Sequence, residues 1–445
     1  MHADDNLNDA HLTRLSHTGD RLRAGREKAA APETIAPQLP VPHRAHYAGY
    51  EVTSVFQPVY RLYDGAVVGF EALARIISAE ANQVSAAELF AIATARGELP
   101  DLDGILQTAH VMRFARLQTG SSDCLFINVH PESATRPENT ARILARALEQ
   151  VRLVPSHVVI EVLEHRGQDL DAIRSLVAAY RAIGCNIALD DFGASHSNFD
   201  RVWDLAPDLV KLDRSLHTRA VSCGKVRRML PKMVALLHEV GCLALVEGIE
   251  SECEALLALD SGADMIQGYY FGSPAADLMT KNRYHPVEPL WDRYAQEKLE
   301  RRTTTHRALL PYTRTFRRSI QLLESGVVAG AACVEFLALP DTEHCYLLDT
   351  SGRPHEANIS LEPQVAPTPE VWRISDCLPP AVAFWAFRSY FKIALDAPGH
   401  VHVTGPYLSY TGRKMCVTLS AGITVGAELV VLCGDIDAWA LDQAP

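Results

Sequence analysis

The chain has 445 residues, too many for one typical domain, so two or three folded units are expected. Hydrophobic residues at 48% and charged residues at 22% describe an ordinary soluble globular protein and exclude a disordered or fibrous chain. A formal net charge of −12 excludes broad, charge-driven binding to nucleic acid or to an anionic membrane, but not a small anionic ligand held by local cations.

Residues 1–46 are polar, basic between Arg14 and Lys28, and proline-rich in "APETIAPQLPVP". They read as a flexible N-terminal arm with at most one short helix. No apolar run reaches the ~18 residues of a membrane span, and the N-terminus lacks the apolar core of a signal peptide. A cytoplasmic protein without a membrane span is therefore expected. The 10 cysteines form no CxxC pair and no zinc spacing, and they read as buried reduced thiols.

From Glu51 onward strand and helix patterns alternate. The apolar runs are "VTSVFQPVY", "AVVGFEALA", "CLFINV", "VVIEVLE", "NIALDD", "LVKLD", "LALVEG" and "MIQGYY". Between most of them lie helical stretches at 85–96, 102–117, 138–150, 169–182, 197–204, 222–240 and 251–260. Ser85 and Glu88 have capping-box spacing at the first of these. Strands alternating with helices over 47–285 predict an α/β fold, a TIM-like (β/α)₈ barrel. The link "RLYDGA" is too short for a crossover helix, so the first strand must run antiparallel to the second, which modifies the barrel. Residues 286–325 read as charged linker helices, with Pro311 as a kink or break. Residues 326–445 read as a small α+β domain of sensor type. Its expected strands are "AACVEFLAL", "CYLLDTSGRP", "HVHVTGPYLSYTG", "KMCVTLSAGI" and "ELVVLCGDI", around a helix at 379–395; "DTSGRP" is a turn.

Each barrel run carries polar or ionisable residues near its end: Gln57, Glu71, Asn128, Glu161, Asp190 with Asp191, Lys211, Glu247 and Gln267. A single acid at such a place is most often a helix cap or a solvated charge. The whole set at consecutive strand ends converges on one barrel face, where active sites are built. So many carboxylates in one cleft require cations, and oxygen ligands suit Mg²⁺, Mn²⁺ or Ca²⁺ rather than zinc. Adjacent aspartates can serve two ions, one carboxylate bridging, as in two-metal phosphoester chemistry.

The motifs "FQPVY", "GFEALAR", "FINVHP", "IEVLEH", "LDDFGASHSNF", "LVKLDRS", "VEGIE" and "QGYYFGSP" resemble, in order and spacing over about residues 50–275, the EAL family of bacterial cyclic di-GMP phosphodiesterases. The resemblance implies a modified (β/α)₈ barrel with an antiparallel first strand. It implies two divalent cations, Mg²⁺ or Mn²⁺ with Ca²⁺ inhibitory, a homodimer through the barrel, and hydrolysis of cyclic di-GMP to linear pGpG. Glu71, Asn128, Glu161 and Asp190 resemble the ligands of the first ion, with Asp190 bridging and Asp191 on the second. Lys211 resembles the lysine that orients the attacking water, Glu247 a general base or second-ion ligand, and Gln267 an amide near the water. Gln57 and Arg75 resemble contacts to the dinucleotide and its phosphate, and Glu164 resembles a brace of its loop. The domain at 326–445 resembles, more weakly, Cache- or PAS-like modules with an unassigned ligand.

Two departures stand out. After DDFG the family has a small residue, a glycine, an aromatic and two serines, whereas this chain has Ala194, Ser195, His196, Ser197 and Asn198. Losing the glycine removes easy access to positive φ in a loop that shapes the second cation site and the dimer contact. His130 stands where the family has serine, and it reads first as a packing or surface replacement and second as a hydrogen-bond partner of a metal ligand. The altered loop keeps a rival reading open, a cyclic di-GMP receptor that does not cleave. A third reading, a Schiff-base lyase using Lys211, requires a depressed lysine pKa that neighbouring carboxylates oppose.

Overall fold

The computed structural model describes residues 44–77, 83–118, 123–163, 169–194, 199–278, 286–355, 384–409 and 415–438. The chain divides into two compact units between Tyr294 and Ala295.

The first unit is the barrel. Its strands are β2 (Tyr50–Arg61), β3 (Val67–Ile77), β5 (Cys124–Val129), β6 (Val158–Leu163), β7 (Asn186–Phe192), β8 (Leu209–Leu212), β9 (Leu243–Val246) and β10 (Met265–Ile266). Short strands β1 (Ala45–Tyr47) and β4 (Gln83–Val84) extend β2 and β3. The order β2-β10-β9-β8-β7-β6-β5-β3 closes on itself through the β2–β3 pairing. β2 is antiparallel to both neighbours, and the other barrel pairs are parallel. The reason lies in the tight turn expected after β2. Arg61 N–H donates to Ala66 O at 2.9 Å, Gly65 N–H returns to Arg61 O at 2.9 Å, and Arg61 pairs with Asp64.

Alternate residues of each strand point to opposite faces. On β5, Phe126 meets Val59, Val159, Ala188, Leu209, Leu245 and Met265 inside the barrel. Its neighbours Leu125, Ile127 and Val129 face the outer helices. Those helices are α1 (Ala86–Arg96), α2 (Leu99–Leu117), α3 (Pro137–Val151), α4 (Leu170–Ala182), α5 (Phe199–Leu205), α6 (Arg214–Ser222), α7 (Gly224–Glu239) and α8 (Glu252–Ser261). The expected capping box at α1 is half formed. Ser85 accepts from Glu88 N–H, but the Glu88 carboxylate accepts from the Tyr50 hydroxyl instead. The complete box is Ser251 with Glu254 at α8. Helix α6 was not expected from the sequence pattern, since its nine residues follow directly on β8 with few apolar positions.

Helix α9 (Glu288–Glu324) begins in the first unit and continues into the second. It is continuous through Pro311, so of the expected kink or break there is no break, and Tyr312, Phe316 and Leu323 on it are buried in the core of the second unit. Within that unit, "AACVEFLAL" is not a strand but two short helices, α10 (Ala329–Ala332) and α11 (Val334–Leu337). Ala329, Ala332, Cys333, Phe336 and Leu337 are the buried positions, which is helical spacing hidden in a nearly continuous apolar run. The sheet contains β11 (Thr342–Leu348), β12 (His402–Val403), β13 (Tyr407–Leu408), β14 (Met415–Val425) and β15 (Glu428–Asp437), all pairs antiparallel. The "DTSGRP" turn is present, with Asp349 Oδ1 accepting from Ser351 N–H at 2.9 Å and Arg353 N–H at 3.0 Å. Of the helix expected at 379–395, the described part is α12 (Ser389–Asp396). No described helix is long and apolar enough to cross a membrane.

Candidate functional site

Register brings the polar residues of the barrel together. Gln57 on β2 lies directly opposite Glu71 on β3, and Asn128 on β5 is paired with Glu161 on β6. Asp190 and Asp191 fall where the β7–β8 register shifts, between Leu189 and Phe192. A bulge there re-aims both carboxylates, and Asp191 adopts a left-handed φ of 58°.

The centre is Lys211, 1% exposed. Its Nζ lies 2.9 Å from Glu161 Oε1, 3.1 Å from Asp190 Oδ1, 3.1 Å from Glu247 Oε2 and 3.7 Å from Glu71 Oε2. Two amides complete the shell. Asn128 Nδ2 donates to Glu71 Oε1 at 2.8 Å, and Gln267 Nε2 donates to Glu71 Oε2 at 2.6 Å and to Gln57 Oε1 at 3.2 Å. Gln57 in turn donates to Gly272 O at 3.1 Å. Burial opposes charge on Lys211, but Asp190, Glu161, Glu71 and Glu247 together hold its ammonium well above the ordinary lysine range. Burial raises the Glu161 carboxyl well above its usual range, reinforced by Glu71 and Asp190. Glu247 is pushed up to about 8 by burial, with Lys211 pulling the other way. Glu71 is held low, its burial outweighed by Lys211 and the two amides.

Four carboxylates surround one ammonium here, and a fifth, Asp191, adjoins Asp190 and Glu247, with ligand atoms of these three within 4.8 Å of one another. Neither oxygen of Glu161 accepts a well-aligned hydrogen bond, Lys211 touching one of them only as an ion pair. Among the described residues, Gln267 Oε1 is buried and also without a partner. Orphaned oxygens and an excess of negative charge fit hard divalent cations.

Arg75 lies further along β3, half-buried, and its guanidinium donates to Ala74 O at 3.2 Å rather than joining the cluster. Glu164, Ser195 and Ser197 lie outside the described residues. In the described part of the loop before them, Asp191 and Gly193 (φ 102°) are left-handed positions. His130 stacks on Phe90 at 5.5 Å, and its Nδ1 accepts from Glu132 N–H at 3.2 Å, capping the turn after β5.

Two supports were not read from the sequence. Glu254 Oε2 accepts from Glu250 N–H at 2.8 Å and Ser251 N–H at 3.0 Å, fixing the loop that carries Glu247. The Ser-x-x-Glu spacing at 251–254 is the signal that would have found it. Gly268 lets the Gln267 loop meet the same segment, since a Cβ there would lie 2.1 Å from Ile249 O.

The fold and site define a class, a modified (β/α)₈ barrel with a carboxylate-rich centre at its strand ends. The chain belongs to the EAL domain family, which matches residues 44–274. It is 27% identical over 227 residues to the cyclic di-GMP phosphodiesterase RocR of Pseudomonas aeruginosa, covering 50% of this chain and 57% of that protein. It is 29% identical over 231 residues to the probable cyclic di-GMP phosphodiesterase PdeI of Escherichia coli, covering 50% of this chain and 29% of that one. The chain thus spans little more than half of RocR and under a third of PdeI. The Bacillus subtilis YkuI protein, solved with cyclic di-GMP and calcium, shares the fold with a TM-score of 0.72 at 21% identity. That likeness covers 87% of this chain and 96% of YkuI, so it extends into the second unit.

Proposed function

We propose that this chain is a divalent-cation-dependent phosphodiesterase that opens cyclic di-GMP to linear pGpG in bacterial second-messenger signalling. The observation that carries the reading is the excess of carboxylate oxygens around a lysine that stays charged. Family membership and the names of RocR and PdeI support it.

In this reading Glu71, Asn128, Glu161 and Asp190 would hold one ion, and Asp190 and Asp191 the other. Bound there, the ions supply Lewis acidity for a water nucleophile and neutralise charge on the phosphate. In-line attack at phosphorus expels the 3′ oxygen. Lys211 faces the charge that develops on the phosphate oxygens, an interaction strongest in the transition state. Glu247 would act either as a ligand of the second ion or as the general base that takes the water's proton. Gln267 orients the water, Gln57 contacts the dinucleotide, and Arg75 meets a phosphate. The same reading includes Mg²⁺ or Mn²⁺ as the working ion, a homodimer through the barrel, a cytoplasmic location, and a Cache- or PAS-like second unit.

The test is incubation of the purified protein with cyclic di-GMP and Mg²⁺, Mn²⁺, Ca²⁺ or EDTA. Linear pGpG is expected with Mg²⁺ or Mn²⁺, and none with EDTA or Ca²⁺. Binding without turnover under every condition would make the protein a receptor, the reading that the altered sequence at 194–198 favours.

A further inference from the structure

The second unit places two thiols against each other in a core that takes no part in the barrel chemistry. Cys345 lies on β11 directly opposite Gly434 of β15, and its side chain joins Cys333, Phe316 and Phe336 in that core. Cys333 ends α10 and starts α11, its N–H donating to Ala329 O at 3.1 Å and its carbonyl accepting from Leu337 N–H at 2.9 Å. Both cysteines are 0% exposed. The Cys345 thiol donates to Cys333 Sγ at 3.2 Å.

Two features hold the sulfurs at this distance. A Cβ at Gly434 would lie 2.6 Å from the Phe336 ring, so the glycine is what lets α11 press this closely on the sheet. At the other end of α11, the Thr342 hydroxyl donates to Leu337 O at 3.0 Å and Leu339 O at 2.7 Å, pinning the helix end to the start of β11. Strand alternation sends Cys433, next to Gly434, to the opposite face with Tyr346 and Tyr390. Among the described cysteines, Cys333 alone shares a core with Cys345. A disulfide sets its sulfurs about 2.05 Å apart, so bonding this pair takes an approach of about 1.2 Å, divided between two side chains.

We propose that Cys333 and Cys345 form a redox site, which an oxidant of the hydroperoxide class converts to a disulfide that staples the α10–α11 turn to β11. One cysteine, as its thiolate, attacks a peroxide oxygen; the O–O bond breaks, a sulfenic acid forms, and the departing hydroxide takes the thiol's proton to become water. The second thiolate attacks the sulfenic sulfur, the S–S bond forms as the S–O bond breaks, and hydroxide leaves with the second proton as water. The two thiols together lose two electrons, and the peroxide gains them. The hydrogen bond to Cys333, with burial behind it, holds the Cys345 thiol well above the ordinary cysteine range, so the closed core resists the first step. That step therefore waits on opening of α10 and α11, which at four residues each are too short to persist without their packing. The sulfenic acid meets its partner thiol when the turn closes again.

The competing account is a pair of inert structural thiols. Treating the full-length protein with excess hydrogen peroxide, blocking the remaining thiols with iodoacetamide and mapping non-reduced peptides by mass spectrometry separates the two. A link between Cys333 and Cys345 is expected as the main disulfide within the chain, in higher yield than from the same chain oxidised in denaturant, where cysteines pair by chance. The linked second unit should melt about 5–10 °C higher, the gain from closing a short loop in a unit of this size, and dithiothreitol should reverse it. Cys333→Ala and Cys345→Ala should each abolish both the link and the gain. Absence of the link from wild-type protein, with peroxide alone and with peroxide in urea below the unfolding transition, would overturn the proposal. A yield no greater than in denaturant would do the same, as would a linked protein no more stable than the reduced one. The peptide map of the wild-type protein decides the matter even where a substitution prevents folding.

Discussion

Lys211 is held as an ammonium by four carboxylates, and that charge state bears on which chemistry the barrel performs. An amine that cannot lose its proton is a poor imine-forming nucleophile, so borohydride with a carbonyl substrate should leave no adduct. Lys211 also offsets repulsion among the acids. Lys211→Met should therefore lower the stability of EDTA-treated protein by about 3–5 kcal/mol, the cost of stranding buried charges, with Mg²⁺ or Mn²⁺ recovering much of it. An unchanged melting temperature in EDTA would show that the acids carry their own protons. Where cation and substrate are present, the same variant should lower kcat by ~10²-fold or more with a smaller change in dinucleotide Kd. Asp190→Ala should act in the opposite direction on stability. It relieves repulsion, raising the melting temperature in EDTA, while abolishing hydrolysis; full turnover by a folded Asp190→Ala protein would sink its assignment as a ligand.

The loop carrying Glu247 owes its position to a helix cap rather than to the strand before it. Glu254 accepts two loop amides, and Ser251 accepts from Glu254 N–H at 3.4 Å. Replacing Ser251 with alanine should cost about 1 kcal/mol, a typical cap. Glu254→Ala, which frees both loop amides, should cost more and should raise the Mg²⁺ concentration needed for half-maximal activity. Matching metal titrations for Glu254→Ala and wild type would mean that the loop is held by Gly268 and Ile249 alone. The barrel strands were legible because each is a short apolar run ending in a polar residue, and the turn after β2 excluded a crossover. Helices α10 and α11 were not legible as such, because alanine, cysteine and valine between the buried positions erase the polar face that marks helical period. At the site, the identities of Gln57, Glu71, Asn128, Glu161, Asp190, Lys211, Glu247 and Gln267 could be read from strand ends. The bulge and the left-handed backbone at Asp191 could not, since positive φ is uncommon for any non-glycine residue, even though aspartate is among those enriched there.

Each unit also buries an aspartate outside the barrel site whose carboxyl burial pushes up, Asp103 and Asp435, and these two acids tie stability to pH. Asp103 on α2 accepts from Ser133 Oγ at 2.6 Å, Gln107 Nε2 at 3.0 Å and His130 N–H at 3.3 Å, and Gln107 is joined to Tyr180. Burial pushes the Asp103 carboxyl up to about 7, the hydrogen bonds pulling back, and burial likewise pushes Asp435 up to about 7. A folded-state pKa above the unfolded one means that the folded chain binds the proton more tightly. The resulting stabilisation is fully present below the ordinary aspartate value of 3.8, falls between there and about 7, and is absent above. The stability difference between wild type and Asp103→Asn should therefore shift against the wild type across that window, by at most roughly 4 kcal/mol. Subtracting the variant removes the other titrations, including those of the metal-site acids. Hydrogen exchange followed by mass spectrometry, read separately for 44–294 and 295–438, localises the effect. Asp103→Asn should flatten the pH dependence of the barrel peptides and leave those of the second unit unchanged, with the reverse for Asp435→Asn.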